Sequence, residues 1–175
     1  MKVQREASPL RDYERHVLQL VEEKAPKSIL AVGVDGEALF APYLRDRDER
    51  TLTRLGTHGV LDQLGRCGRY GFGLVADALE HLPKDEGSVL LARMRDLHTE
   101  RFCILVPIES PDPGHQSVWR HTELIAYGLT LLARYQENGQ PFHLYGFDIA
   151  SYKSTPDWLN PRYWAHPELW DKYRW

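Results

Sequence analysis

Residues 72–83, Phe72-Gly-Leu-Val-Ala-Asp-Ala-Leu-Glu-His-Leu-Pro83, pass from an apolar run through an acidic turn to a proline that opens the next helix. The run 72–76 reads as a strand covered on both faces, and Pro83 supplies the fixed φ and missing N–H that suit a helix start. Residues 84–99 then read as a helix with Val89, Leu90, Met94 and Leu97 on one face. Residues 102–107, Phe-Cys-Ile-Leu-Val-Pro, form a further apolar strand. Strand, helix, strand at this spacing is a βαβ unit, whose right-handed crossover makes the two strands parallel. The architecture expected is α/β: a Rossmann-like, mostly parallel sheet of five to six strands with helices on both faces. Ligands of such sheets bind beyond the carboxyl ends of the strands, beside helix N-termini with unpaired N–H groups, so the turn at Asp77 marks the expected site.

Upstream, Ser8-Pro9 reads as a helix start, with Tyr13, Val17, Leu20 and Val21 at helical spacing up to Pro26. Residues 28–34 are almost wholly apolar and close on Gly33, as a central strand would. Asp35 opens a short helix, residues 45–50 form a solvated charge run, and 51–55 read as a second strand. Glycines at 56, 59, 65, 68, 71 and 73 make the next segment the least regular.

Downstream, Pro111-Asp-Pro-Gly114 breaks the chain. Residues 117–137 then read as one long helix burying Leu124, Ile125, Gly128, Leu131, Leu132 and Tyr135 and ending at Asn138-Gly139. Residues 142–152 alternate as a last strand. Trp158, Trp164, Trp170 and Trp175 crowd the final residues among Pro156, Pro161 and Pro167. Prolines at that density forbid a long helix. A domain over 1–155 is therefore expected to carry an aromatic extension, 156–175, packed on that domain or on a partner, with homo-oligomer formation through it as one outcome.

The 175 residues suit a single core, and 42% hydrophobic with 27% charged residues is the balance of a chain that folds alone. A net charge of −3 gives no general attraction to nucleic acid or to an anionic membrane, so neither is expected as a partner. The charged start and the absence of a long apolar stretch point to a cytoplasmic location. Cys103 reads as a buried thiol, and Cys67 as a loop residue among arginines.

Ile29-Leu-Ala-Val-Gly-Val-Asp-Gly36 after a leading helix, followed by the 72–83 block and the strand 102–107, resembles class I S-adenosylmethionine-dependent methyltransferases. The likeness covers roughly residues 26–107 and is strongest at Leu79-Glu80-His81-Leu82. It implies S-adenosylmethionine as cofactor, with Gly33, Val34, Asp35 and Gly36 passing under its methionine part and Ala76, Asp77 and Ala78 beside it. The chain departs from the family at three points. The family's G-x-G-x-G loop is one glycine short here, the second strand runs into Leu55-Gly56-Thr57-His58 without the ribose-binding acid, and the short path from Gly33 to Phe72 leaves one βα element reduced or lost. The implied function is a methyltransferase-like protein of unknown substrate with a degenerate cofactor loop. The competing class is a non-catalytic binding or scaffold protein acting through its aromatic tail.

Glu80 and His81 suit an acid/base pair, although a Glu and a His also simply cap a helix start. His81, His115 and Trp119 are the residues expected to meet a small-molecule substrate. His115, His121 and Glu123 do not have metal-ligand spacing, and no metal is expected. Asp148, within an aromatic strand, needs Lys153 or an arginine as partner.

Overall fold

The computed structural model of the chain describes residues 10–45 and 48–152. The expected helix start at Ser8-Pro9, Lys153 and the aromatic extension lie outside them. The order is α1 (Asp12–Lys24), β1 (Ser28–Gly33), α2 (Gly36–Leu44), β2 (Thr51–Leu55), α3 (Val60–Leu64) and β3 (Phe72–Ala76). A 3-10 turn (Leu79–His81) leads to α4 (Lys84–Arg93), which runs on through a π turn (Met94–His98) into β4 (Arg101–Pro107). The chain closes with α5 (His121–Ala126), β5 (Thr130–Glu137), β6 (Gln140–Asp148) and α6 (Ile149–Tyr152).

One six-stranded sheet has the order β2-β1-β3-β4-β6-β5. The first four strands are parallel, with Ile29 opposite Phe72 and Gly33 opposite Ala76, and β6 joins β4 antiparallel. Side chains of successive strand residues point to opposite faces. Ile29, Ala31, Leu74 and Cys103 accordingly pack with α1 and α2 through Val17, Val21 and Phe40. Leu30, Val32, Val75 and Ile104 pack with α3 and α4 through Leu64, Leu90 and Met94 on the other side. Helices therefore cover both faces. β1 is an interior strand, but β3 and β4 hold the centre.

The chain leaves β1 for β2 on one side, then crosses back to β3 on the other. The carboxyl ends of β1 and β3 thus form the switch point of the sheet, where such folds open a crevice. The βα element expected to be reduced or lost is reduced: α3 spans only Val60–Leu64.

The long helix expected over 117–137 is not formed. α5 ends after Ala126, Gly128 takes φ 81, and from Thr130 the chain is a strand. Asn138 and Gly139, at φ 50 and 81, are the central residues of a tight hairpin rather than a helix cap, because two consecutive left-handed residues match the twist of paired strands. Leu131 and Tyr135 fit a helical stripe, yet in the strand a bulge after Leu131 sets Leu131 on one face of the sheet and Ala133 and Tyr135 on the other. Pairing with β6 decides for the strand. β6 itself stops at Asp148, short of residue 152.

The α4 face is also rotated. Leu90, Leu91 and Met94 are buried while Val89 and Leu97 are exposed; Leu97 lies in the π turn at Met94–His98, which shifts the helical phase after Met94. Asp148 takes the arginine alternative: Arg101 Nε lies 2.9 Å from its Oδ2, with Lys24 Nζ at 3.7 Å. Cys103 is buried and free, and burial pushes its thiol up to about 12. Among the described residues, no helix is long and apolar enough to cross a membrane.

Candidate functional site

A cleft of about 380 Å³ opens at the carboxyl ends of β1, β3 and β4, lined by Gly33, Val34 and Asp35 from the first loop and Asp77, Glu80 and His81 from the second. Leu105 and Phe142 supply apolar wall, Arg11 and Tyr13 come from the start of α1, and His115 and Glu137 complete it. A second hollow of about 260 Å³, lined among others by Phe72, Cys103, Leu132 and Gly146, lies at the opposite end of the strands, where parallel sheets do not place their ligands.

The first loop is shaped by its own packing. Gly33 has φ +83, and a Cβ there would stand 2.4 Å from the Ala76 carbonyl oxygen and 2.7 Å from that of Asp77. Its missing side chain therefore lets two strand ends close on each other. Gly36 does the same for α2, its absent Cβ falling 2.5 Å from that of Ala31. Asp35 caps α2 by accepting from the Ala38 N–H at 3.3 Å, so the helix N-terminus already has a carboxylate of its own.

The second loop turns sharply at Asp77, a non-glycine residue at φ 53. The turn lets Leu79–His81 wind as a single 3-10 turn across the strand ends, where helix N-termini were expected. Asp77 stays exposed, its Oδ1 within hydrogen-bond distance of His81 Nε2 at 3.1 Å. Ala76 and Ala78 are buried beneath the loop.

Glu80 points inward at 3% exposure, and its Oε2 has no hydrogen-bond partner among the described residues. Burial pushes this carboxyl above its ordinary range, opposed by a backbone hydrogen bond and by His81. A carboxyl with a folded-state pKa above its unfolded value gives stability that is complete below the usual 4.5 and is lost as pH rises through the raised value. Glu80→Gln, neutral at every pH, is expected to be more stable than the wild type by ~1 kcal/mol at pH 8 in EDTA buffer, with the gap closing toward pH 4. Urea unfolding across that range checks it; a variant no more stable at pH 8 contradicts the buried placement.

The segment after Gly114 is stitched along the 3-10 turn. The Gln116 N–H donates to the Glu80 carbonyl at 2.7 Å, Gln116 Nε2 to that of His81 at 2.9 Å, and Ser117 Oγ to that of Leu79 at 2.8 Å. These bonds bring His115 beside His81, ring centroids 5.7 Å apart and edge-on, with the His115 Nδ1 buried and also unpartnered among the described residues. Trp119 departs from expectation. It is 1% exposed in the core, its Nε1 donating to Ser117 Oγ at 3.0 Å, and so does not line the cleft. His121 bonds Tyr145, and Glu123 pairs with Lys84 at 2.8 Å, so neither joins His115.

Of the residues singled out in the sequence, Gly33, Val34, Asp35, Asp77, His81 and His115 line one cleft. Arg11, Tyr13, Leu105, Glu137 and Phe142 were missed. The last two sit either side of Asn138-Gly139, read as a helix end, and recognising a hairpin turn there would have brought them together, with Phe142 opposite Pro107 of β4.

The fold is class I methyltransferase-like. The N-terminal domain of EvdMO1 with SAH bound aligns with a TM-score of 0.56 at 14% identity, over 79% of this chain and 82% of that one. Magnesium protoporphyrin IX methyltransferase (ChlM) from Synechocystis PCC 6803 with bound SAH aligns at 0.54 and 11% identity, over 77% and 80%. The methyltransferase domain of bacterial CtHen1-C aligns at 0.54 and 13%, over 78% and 96%. No curated protein matches the sequence. A family model described as a family of unknown function (DUF6231) matches residues 11–175.

Proposed function

This chain belongs to DUF6231, a family of unknown function, and on that footing we propose that it binds S-adenosylmethionine in the switch-point cleft and transfers its methyl group to a small-molecule acceptor. The supporting observation is the position and lining of the cleft. It lies beyond the carboxyl ends of β1 and β3, and Asp35, Asp77, Glu80 and Glu137 give it an acidic wall. Such a wall favours a ligand carrying a sulfonium and an ammonium group.

Gly33, Val34 and Asp35 would hold the methionine end, and Arg11, held by Glu14 at 3.1 Å, would exchange that partner for the methionine carboxylate. When bound, the cofactor supplies an electrophilic methyl group. The protein's part is then to orient an acceptor against it and to exclude water, with Leu105 and Phe142 as apolar wall. The adenosine end is less well served. β2 runs into Gly56 without a carboxylate, and nearby Glu37 is engaged by Arg54 at 2.8 Å. Losing a charged hydrogen bond to the ribose costs about 1.5–3 kcal/mol, so affinity weaker by roughly tenfold to a hundredfold than with that acid is expected.

One observation favours a second reading, in which the fold is kept and no methyl group moves: the Gly33 gap is filled by the protein's own backbone. Thermal unfolding with S-adenosylmethionine and S-adenosylhomocysteine separates the two. Ligand at about a hundred times its Kd adds about 2.7 kcal/mol, a rise of several degrees in Tm for a chain of this size. An unchanged Tm at millimolar ligand supports the second reading.

A further inference from the structure

The geometry points to a divalent transition-metal site in the cleft, built from Asp77, Glu80 and His81 with His115 alongside. Asp77 ends β3, and the 3-10 turn that follows brings residues three and four positions later back over it. One donor atom from each of Asp77, Glu80 and His81 lies within 4.8 Å of the others. A metal with ligand distances of about 2.0–2.2 Å needs its donors roughly 3–4 Å apart. The remaining gap is closed by rotating Asp77 and His81, whose side chains are 75% and 41% exposed.

Exposed acids cluster on many proteins without binding anything, and Asp77 alone would carry no weight. The independent observation is Glu80. Its side chain is buried, its Oε2 has no partner among the described residues, and it forms part of the cleft wall. A carboxylate oxygen so placed costs free energy unless a cation or a donor meets it. His115 repeats the pattern with a buried, unpartnered Nδ1 on the neighbouring ring. Of the two unsatisfied atoms of ligand chemistry, the carboxylate oxygen thus belongs to the three-donor cluster and the imidazole nitrogen lies on the ring beside it.

Mixed carboxylate and imidazole donors fit Mn²⁺, Fe²⁺ or Zn²⁺ better than Ca²⁺, which takes oxygen alone, or Cu⁺, which prefers sulfur. Three protein donors leave coordination positions open toward the cleft, where an oxygen-bearing acceptor would be held and polarised. That last role rests on the methyl-transfer reading; binding of the ion does not.

Calorimetric titration of the chelator-treated full chain with Mn²⁺, and separately with Zn²⁺, tests the site. One ion per chain is expected. Affinity should fall at least about tenfold in Asp77→Asn, Glu80→Gln and His81→Gln, the smallest effect of losing even an outer partner of a metal. His121→Gln and His143→Gln, at the separate cluster around Tyr145, should bind as the wild type does. Circular dichroism checks each fold, and Asp77→Asn changes an exposed side chain, so the test survives a Glu80 variant that misfolds. Failure of both ions to bind stoichiometrically overturns the site, as does wild-type affinity in Asp77→Asn and His81→Gln. The same titrations repeated with S-adenosylhomocysteine keep the readings apart: metal without nucleoside binding removes the cofactor, and nucleoside without metal removes the ion.

Discussion

Trp119→Ala should lower the unfolding free energy by about 4 kcal/mol, the middle of the range for emptying a buried aromatic site. The indole is 1% exposed and packs so closely on α4 that a Cβ at Gly87 would stand 2.7 Å from its Cζ2. Lys84 Nζ lies 3.7 Å over the ring, and the indole N–H donates to Ser117 Oγ at 3.0 Å and, less closely, to the Leu79 carbonyl at 3.3 Å. Truncation therefore leaves a cavity and loosens the 3-10 turn that carries Glu80 and His81. Trp119→Phe should cost less, since it keeps most of the volume and loses the donor. Urea unfolding at pH 7 measures both, and a loss below ~1 kcal/mol for the alanine variant would place the indole at a substrate mouth instead.

Gly33→Ala should cost about 3 kcal/mol or more, from a backbone that disfavours any side chain and from steric overlap with two carbonyl oxygens. Those oxygens belong to Ala76 and Asp77, main-chain atoms that no side-chain rotation can move aside. Gly59→Ala isolates the backbone part, because Gly59 has φ +61 with nothing within 4 Å of its missing Cβ. That control should lose only about 1 kcal/mol. Equal losses at the two positions would mean that the ends of β1 and β3 do not close as described.

The parallel half of the fold was legible because its cues are local and mutually consistent. Residues 28–34, 72–76 and 102–107 are short apolar runs, and a strand buried on both faces needs such a run. Tyr13, Val17 and Val21 likewise recur at the period of the helix they form. The antiparallel edge was illegible because Leu131 and Tyr135 fit a helical stripe and the bulge after Leu131 breaks the strand's own alternation, so only pairing with β6, a tertiary fact, selects the strand. Trp119 and Glu80 were misread for a related reason. Both are set by the hydrogen bonds that lay residues 115–119 along Leu79–His81, contacts spanning over thirty residues that no local pattern encodes. Asp77 and Gly33 were expected at one sheet edge because strand ends are local features, and both line the cleft there, yet the packing of Gly33 required knowing what lies opposite it.

Amide chemical shifts during a titration with S-adenosylhomocysteine test the cleft most directly, because they report where a ligand lies as well as whether it binds. Saturable changes are expected at Gly33, Val34, Asp35, Asp77, Glu80 and His81, the residues converging on the switch point. No change at millimolar ligand, or changes confined to Phe72, Cys103, Gly146 and Phe147 at the far end of the strands, would contradict a nucleoside cofactor bound there.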